Sequence, residues 1–161
     1  GMAVLTVSQE GTSPAAVHRM FKALTVERHV VLPKAHPHVF KSCEIIQGNG
    51  GVGTVHKTTF VEAGFHFTYL LHKIEELDTE NYYCKYTLFE GGELQDNLEC
   101  IVYEAKLEAA GEGCKGKLIT HFHPKHGCSV TEEGVKVLKQ NADRFFKLVG
   151  EYLFTHPDVC T

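Results

Sequence analysis

The 161-residue sequence predicts an α+β fold: a seven-stranded antiparallel sheet wrapped around a long C-terminal helix, with two short helices. Three observations point there. After an N-terminal strand-like stretch, six more follow one another up to residue 123, joined by Gly-, Asp- and Asn-containing turns too short for crossover helices. One long stretch of helical period closes the chain, and only two short segments near the N-terminus share that period. A sheet with one apolar face to bury and one long helix to bury it on must curl around that helix.

Taken in order, AVLTVSQE (3–10) alternates as a strand. TSPAAVHRMFKAL (12–24) reads as a helix with Ser13 as cap and Pro14 at the first helical position, and Val17, Met20, Phe21 and Leu24 share one face. VERHVVLPK is a second short helix that must end near Pro33, where the backbone loses a donor. Strands are predicted at 38–47, 54–61, 65–76, 81–90, 96–107 and 115–123. The last element is a helix over about 130–154, roughly 35 Å long at 1.5 Å per residue. Val135, Leu138, Ala142, Phe145, Phe146, Val149, Tyr152 and Leu153 form its apolar stripe, and Glu132, Glu133, Lys136, Lys139 and Lys147 lie elsewhere.

No repeat or composition shift divides the chain, so residues 1–161 read as one domain, with Gly1 a tag remnant. Hydrophobic residues at 43% and charged residues at 22% suit a soluble globular protein, and no apolar run is long enough to span a bilayer. GMAVLTVSQE lacks a secretory pattern, which suggests an intracellular location, cytoplasmic and in part nuclear. The six cysteines, at 43, 84, 100, 114, 128 and 160, show no CxxC and are expected as free thiols. A net charge of −4 gathers no phosphates, so nucleic-acid binding and ribonuclease activity are disfavoured. Part of the population of 11 histidines gains charge between about pH 7 and pH 5.

EIIQGNGGVGTVHKTTF (44–60) contains a GxGxxG at Gly48, Gly50 and Gly53, a pattern that holds pyrophosphate when a helix N-terminus follows. The following TVHKTTFV is instead dense in β-branched residues with period two, and no GK[ST] ends the loop. A hairpin whose glycines supply positive φ accounts for the pattern.

Strand parity separates the inward rows. On 54–61 Thr58 and Phe60 share a face with His56; on 65–72 the inward row is Phe65, Phe67, Tyr69 and Leu71. On 82–90 it is Tyr82, Cys84, Tyr86 and Leu88, and on 101–105 it is Ile101, Tyr103 and Ala105. Phe40 on its strand and Leu138, Ala142, Phe145 and Phe146 on the long helix face the same interior. Such an aromatic wall suits flat apolar ligands with polar edges, although periodicity alone favours the simpler reading that these residues fill a core.

The order strand, two short helices, six strands, long helix resembles the birch-pollen-allergen or pathogenesis-related class ten family of plants. GNGGVGTV (48–55), with Gly48, Gly50, Gly51 and Gly53, resembles its glycine loop, KYTLFEGG (85–92) its aromatic strand and turn, and EYLFTHPD (151–158) its C-terminal signature. HRMFKAL, ERHVVLPKAHPHVFKS and YCKYTLFEG look most like the subgroup of the phenolic oxidative coupling protein, once proposed to make hypericin. The resemblance implies a hollow fold that carries or stores flavonoids, cytokinins, steroids or naphthalene sulfonates, in a defence-related setting. It favours cavity lining over core filling for Phe60, Phe67, Tyr69, Tyr86, Tyr103 and Phe145. It also places Arg28 and Lys34 where an anionic ligand group is paired, with Glu133 near the same entrance. No cofactor, nucleic acid or membrane is implied, and a monomer or weak dimer is expected.

Enzymatic alternatives depend on a few residues. Some relatives condense an amine with an aldehyde through a seventh-strand lysine, but parity sets Lys117 opposite the apolar Gly116, Leu118, Thr120 and Phe122, in water. Phenolic coupling requires a metal, haem or flavin for one-electron chemistry. HFHPKHGC offers His121, His123, His126 and Cys128, with His36 and His38 of HPH in addition; the spacing matches no structural zinc motif, and no metal is expected. Abscisic-acid receptors of the same superfamily close a gate and a latch loop. The corresponding FVEAGFH (60–66) and FEGGELQ (89–95) lack the Ser-Gly-Leu-Pro-Ala and His-Arg-Leu motifs, so a carrier is the favoured reading.

Overall fold

In the computed structural model, which describes residues 3–61 and 68–161, the elements run β1 (Leu5–Ser13), α1 (Val17–Leu24), α2 (Arg28–Ala35), β2 (Phe40–Gln47) and β3 (Val55–Phe60). They continue as β4 (Tyr69–Asp78), β5 (Tyr83–Gly91), a 3₁₀ turn (Gly92–Leu94), β6 (Leu98–Ala110), β7 (Gly113–Pro124) and α3 (Glu132–Thr155). All seven strands form one antiparallel sheet in the order β1-β7-β6-β5-β4-β3-β2. The two edge strands are therefore consecutive in the chain, and α1 and α2 bridge them. α3 packs on β1 and on both short helices. This is the predicted α+β architecture.

Several boundaries differ for local reasons. β1 runs on to Ser13 because its pairing with β7 continues to Ser13↔Cys114. Ser13 is thus no helix cap: its Oγ accepts the Ala15 N–H at 3.2 Å, Pro14 lies in the connection, and α1 begins at Val17. α2 passes through Pro33 to Ala35, since a proline this close to the helix end removes one bond and the His36 N–H still reaches the Leu32 carbonyl at 3.3 Å. β2 starts at Phe40 because the Val39 and Phe40 amides both donate to the His36 carbonyl, closing a turn. The first residues of the strand predicted over 65–76, up to 67, lie outside the described residues.

The glycine loop is a hairpin leading straight into β3. Gly48 sits at φ +88°, and a Cβ there would stand 2.7 Å from Thr54 Cα. The Gly50 amide donates to Thr54 Oγ1 at 2.8 Å, and Thr54 is fully buried, so the loop folds on its own threonine. No helix N-terminus follows to hold a phosphate.

α3 is capped by Thr131, whose side chain accepts the Gly134 N–H at 3.0 Å, with Glu132 and Glu133 in the first turn favouring the dipole. Its C-terminal half holds the core contacts, through buried Val149, Gly150 and Leu153. Gly150 is a close approach: a Cβ there would lie 2.4 Å from Ser13 Oγ. Arg19 of α1 secures the same end, donating to the carbonyls of Val159 at 2.9 Å, Leu153 at 2.9 Å and His156 at 2.7 Å. The preceding Leu138, Ala142, Phe145 and Phe146 are only half-buried.

Candidate ligand cavity

A hollow lies between the sheet and α3, with about 150 Å³ open to the centres of water molecules. That is room for about five waters at ~30 Å³ each. Phe21, Leu24, Thr25 and Arg28 from the helical bridge form one wall, and Phe60, Leu70, His72, Cys84, Tyr86, Tyr103, Ala105 and Leu107 form the sheet side. Leu138, Ala142, Phe145 and Phe146 close it from α3. Glu10, Lys117 and Asp143 line the rim near β1, and Glu93 lines it from the 3₁₀ turn.

The predicted residues divide into four groups. Arg28, Phe60, Cys84, Tyr86, Tyr103, Leu138, Ala142, Phe145 and Phe146 line the hollow together. Phe40, Thr58, Leu88 and Ile101 are buried but belong to the packed core beside it; the Phe40 ring lies 5.5 Å from that of Phe60 and 5.9 Å from that of Phe145. Lys34 and Glu133 are exposed and do not line the hollow. Phe67 lies outside the described residues, as does the 60–66 loop beyond Val61.

The inward orientation of Tyr69 is corrected by the sheet register. Thr58 pairs with Leu70 and His56 with His72, and directly paired residues share a face, so the inward row of β4 is Leu70 and His72. Tyr69 pairs with Thr59 on the outer face, where its hydroxyl donates to Glu90 Oε2 at 2.8 Å and Lys57 Nζ stands 5.2 Å from its ring. His72 and Glu93 are the polar lining residues that sequence reasoning missed. Pairing β4 to the inward row of Thr58 and His56 would have found His72; no periodic signal marks Glu93, which belongs to a turn.

The electrostatics of the hollow centre on one cation. Arg28 is 9% exposed, its guanidinium carbon lies 4.9 Å from the Phe145 ring centroid, and its Nε has no hydrogen-bond partner among the described residues. The His72 ring stands 5.6 Å from Tyr86 and 6.4 Å from Tyr103, and those two phenols stack at 4.9 Å. Burial holds His72 well below the usual imidazole range, with Arg28 adding to the effect, and takes His56 behind it down to about 4. Burial likewise pushes the Tyr86 and Tyr103 hydroxyls up, so both stay protonated. The Glu93 carboxyl is raised by burial to about 7, with Arg28 pulling the other way. At neutral pH the hollow offers one fixed positive charge, a Glu93 carboxyl in mid-titration, neutral donors and stacked rings. It can grip a planar ring system and pair an anionic or accepting edge of it.

The other candidates lie outside this hollow or at its rim. Lys117 is exposed, beside its pairing partner Glu10. On the outer face His121 has both nitrogens engaged, with Thr6 Oγ1 at 2.9 Å and Glu104 Oε2 at 2.7 Å, and the Tyr83 hydroxyl donates to Glu104 at 2.8 Å. These bonds hold the Glu104 carboxyl below its ordinary range, His121 first. Among the described residues no group of three or more His, Cys, Asp or Glu side chains is placed to hold a metal ion.

Comparison with known proteins agrees with the architecture. A family model for the pathogenesis-related protein Bet v 1 family matches residues 2–156. The major allergen Mal d 1 of Malus domestica is 43% identical over 157 residues, covering 98% of each chain. The crystal structure of Ara h 8.0201 has a TM-score of 0.82 and 38% identity, covering 95% of this chain and 99% of that one. Norcoclaurine synthase from Thalictrum flavum, with a TM-score of 0.70 at 22% identity over 94% of this chain and 87% of that one, shares the fold. By sheet order, by the family match over nearly its whole length and by its allergen relatives, the chain belongs to the pathogenesis-related protein Bet v 1 family.

Proposed function

We propose that this protein stores or carries small amphipathic aromatic molecules bearing an anionic or strongly accepting edge, and does not convert them. Flavonoids, cytokinins and other hormones or phenolics, abscisic acid included, are the candidate class, and a defence-related role in the cytoplasm accompanies the reading. The observation that carries it is Arg28, a buried cation with an unpaired Nε in an aromatic hollow. A buried polar group without a partner is costly, and a ligand that supplies the partner recovers that cost on binding. A naphthalene sulfonate dye should bind saturably with enhanced fluorescence and be displaced by a flavonoid. Phe145→Ala should weaken the dye several-fold while far-UV circular dichroism stays unchanged. Dye fluorescence that appears only in unfolded protein would sink the reading.

A condensing enzyme is the alternative, and it is less favoured because Lys117 is exposed at the rim of the hollow, paired across the sheet with Glu10 and Lys106, and not among the buried lining residues. A receptor is distinguished by titrating a protein phosphatase with the protein, with and without abscisic acid. The expected result is no hormone-dependent inhibition, and inhibition at stoichiometric protein would replace carrier by receptor. The likeness to the phenolic oxidative coupling subgroup is part of the same proposal.

A further inference from the structure

Two opposite charges line this hollow without meeting. Glu93, from the turn between β5 and β6, and Arg28, from the start of α2, both line it, yet they form no ion pair. Arg28 Nε is unpartnered among the described residues, and the side chain is more than nine-tenths buried. The remaining titratable groups that line the hollow's interior with Glu93 come from three strands: His72 on β4, Cys84 and Tyr86 on β5, and Tyr103 on β6, the two phenols close enough to feel its charge. Burial keeps all four neutral through the physiological range, by lowering the imidazole and raising the thiol and the phenols. His56 is neutral there as well, and Glu10, Lys117 and Asp143 stand at the β1 rim. Between about pH 6 and pH 9 Glu93 is therefore the lining group inside the hollow whose charge changes.

We propose that the cavity takes up an organic anion together with one proton, the anion facing Arg28 and the proton settling on Glu93. This rests on the ligand reading above and adds a specificity-determining residue to it. One buried cation cannot compensate two anions in a low-dielectric space, so a bound anion makes the ionised carboxylate more costly and its protonated form more favourable. The proton comes from solvent, and the neutral carboxyl gains a hydrogen to donate to the ligand. Affinity for an anion is then full while Glu93 is protonated and falls as pH rises through about 7. Each tenfold loss corresponds to one unit by which the bound anion raises the carboxyl pKa. Neutral ligands lack the dependence, and ligands carrying an amine reverse it.

The test uses a naphthalene sulfonate, whose sulfonate stays ionised throughout, titrated by fluorescence from about pH 6 to about pH 9. The wild-type affinity is expected to weaken about tenfold, and Glu93→Gln to bind tightly with a flat profile. Calorimetry in two buffers of different ionisation enthalpy should show fractional proton uptake per dye in the wild type, largest slightly above pH 7, and none in the variant. A flat wild-type profile without proton uptake, or a slope that survives in Glu93→Gln, overturns the proposal. If Glu93→Gln does not fold, wild-type proton uptake decides alone. Dye binding indifferent to Arg28→Met would reject the ligand reading itself, whereas Arg28-dependent binding that is flat in pH rejects only the proton coupling.

Discussion

Replacing Arg28 by methionine separates what the cavity offers a ligand from what it costs the fold. Methionine keeps the unbranched stem and removes the guanidinium. The losses are the cation–π contact with Phe145, at 4.9 Å from the ring centroid, which is worth about 2 kcal/mol when desolvated, and a weak hydrogen bond with the Cys43 thiol. The gain is relief from burying a cation that has no carboxylate within ion-pair distance among the described residues, and the effective penalty per buried ion is several kcal/mol. The hollow admits water, which trims that penalty, so the net change is a stabilisation of about 1–2 kcal/mol. For a chain of this size that raises Tm by roughly 2–8 °C. An anionic dye meanwhile loses a charge-assisted hydrogen bond of about 1.5–3 kcal/mol and binds roughly tenfold to a hundredfold more weakly. Scanning calorimetry and dye titration on the same preparation read both quantities. A variant that melts lower and binds the dye unchanged would refute the reasoning, because Arg28 would then be a structural cation.

Arg19→Met should cost about 2–3 kcal/mol, since it removes three charge-assisted bonds to carbonyls at the end of α3, discounted for partial exposure; urea midpoints measure it, and a loss below about 0.5 kcal/mol would contradict the assignment. Because His56 is held down to about 4, the unfolded chain accepts a proton between pH 6.5 and 4 that the folded chain refuses. Stability therefore falls as pH falls through that window, by about 2 kcal/mol at about pH 5 from this residue, and His56→Gln should flatten that slope in urea titrations at pH 7 and pH 5. An unchanged slope would mean that other groups govern the acid limb.

The fold was readable because the strands, their turns and the apolar stripe of α3 obey simple periods. Where the reading failed, a tertiary fact outranked a local one. Ser13 has the chemistry of a cap, but strand pairing with Cys114 claims its backbone. Tyr69 sits in a segment whose aromatic residues suggest one inward row, while pairing to Thr58 and His56 fixes the other. Parity identifies which side chains point inward but cannot tell which of them meet empty space. Phe40, Leu88 and Ile101 share the inward orientation of Tyr86 and Tyr103 and end in solid packing. Glu93 was illegible for another reason: a 3₁₀ turn carries no period, and its place in the wall follows from the closure of β5 onto β6.

The uneven anchoring of α3 makes it a lever. Its buried fastenings, Val149, Gly150, Leu153 and the Arg19 clasp, gather at one end, and the residues that roof the hollow sit up the shaft, where the Gln9 side chain of β1 donates to the Lys139 carbonyl at 3.1 Å as a lighter tie. From Val149 to Leu138 the axis runs about 16 Å, so a tilt of about 10° at the fastened end lifts Leu138 by about 3 Å. That displacement approaches the thickness of an aromatic ring and asks for the Gln9 bond to the Lys139 carbonyl to open rather than for any strand pairing to break. The same arithmetic makes small residues near the pivot, Gly150 above all, govern how far the roof travels, although they do not line the hollow.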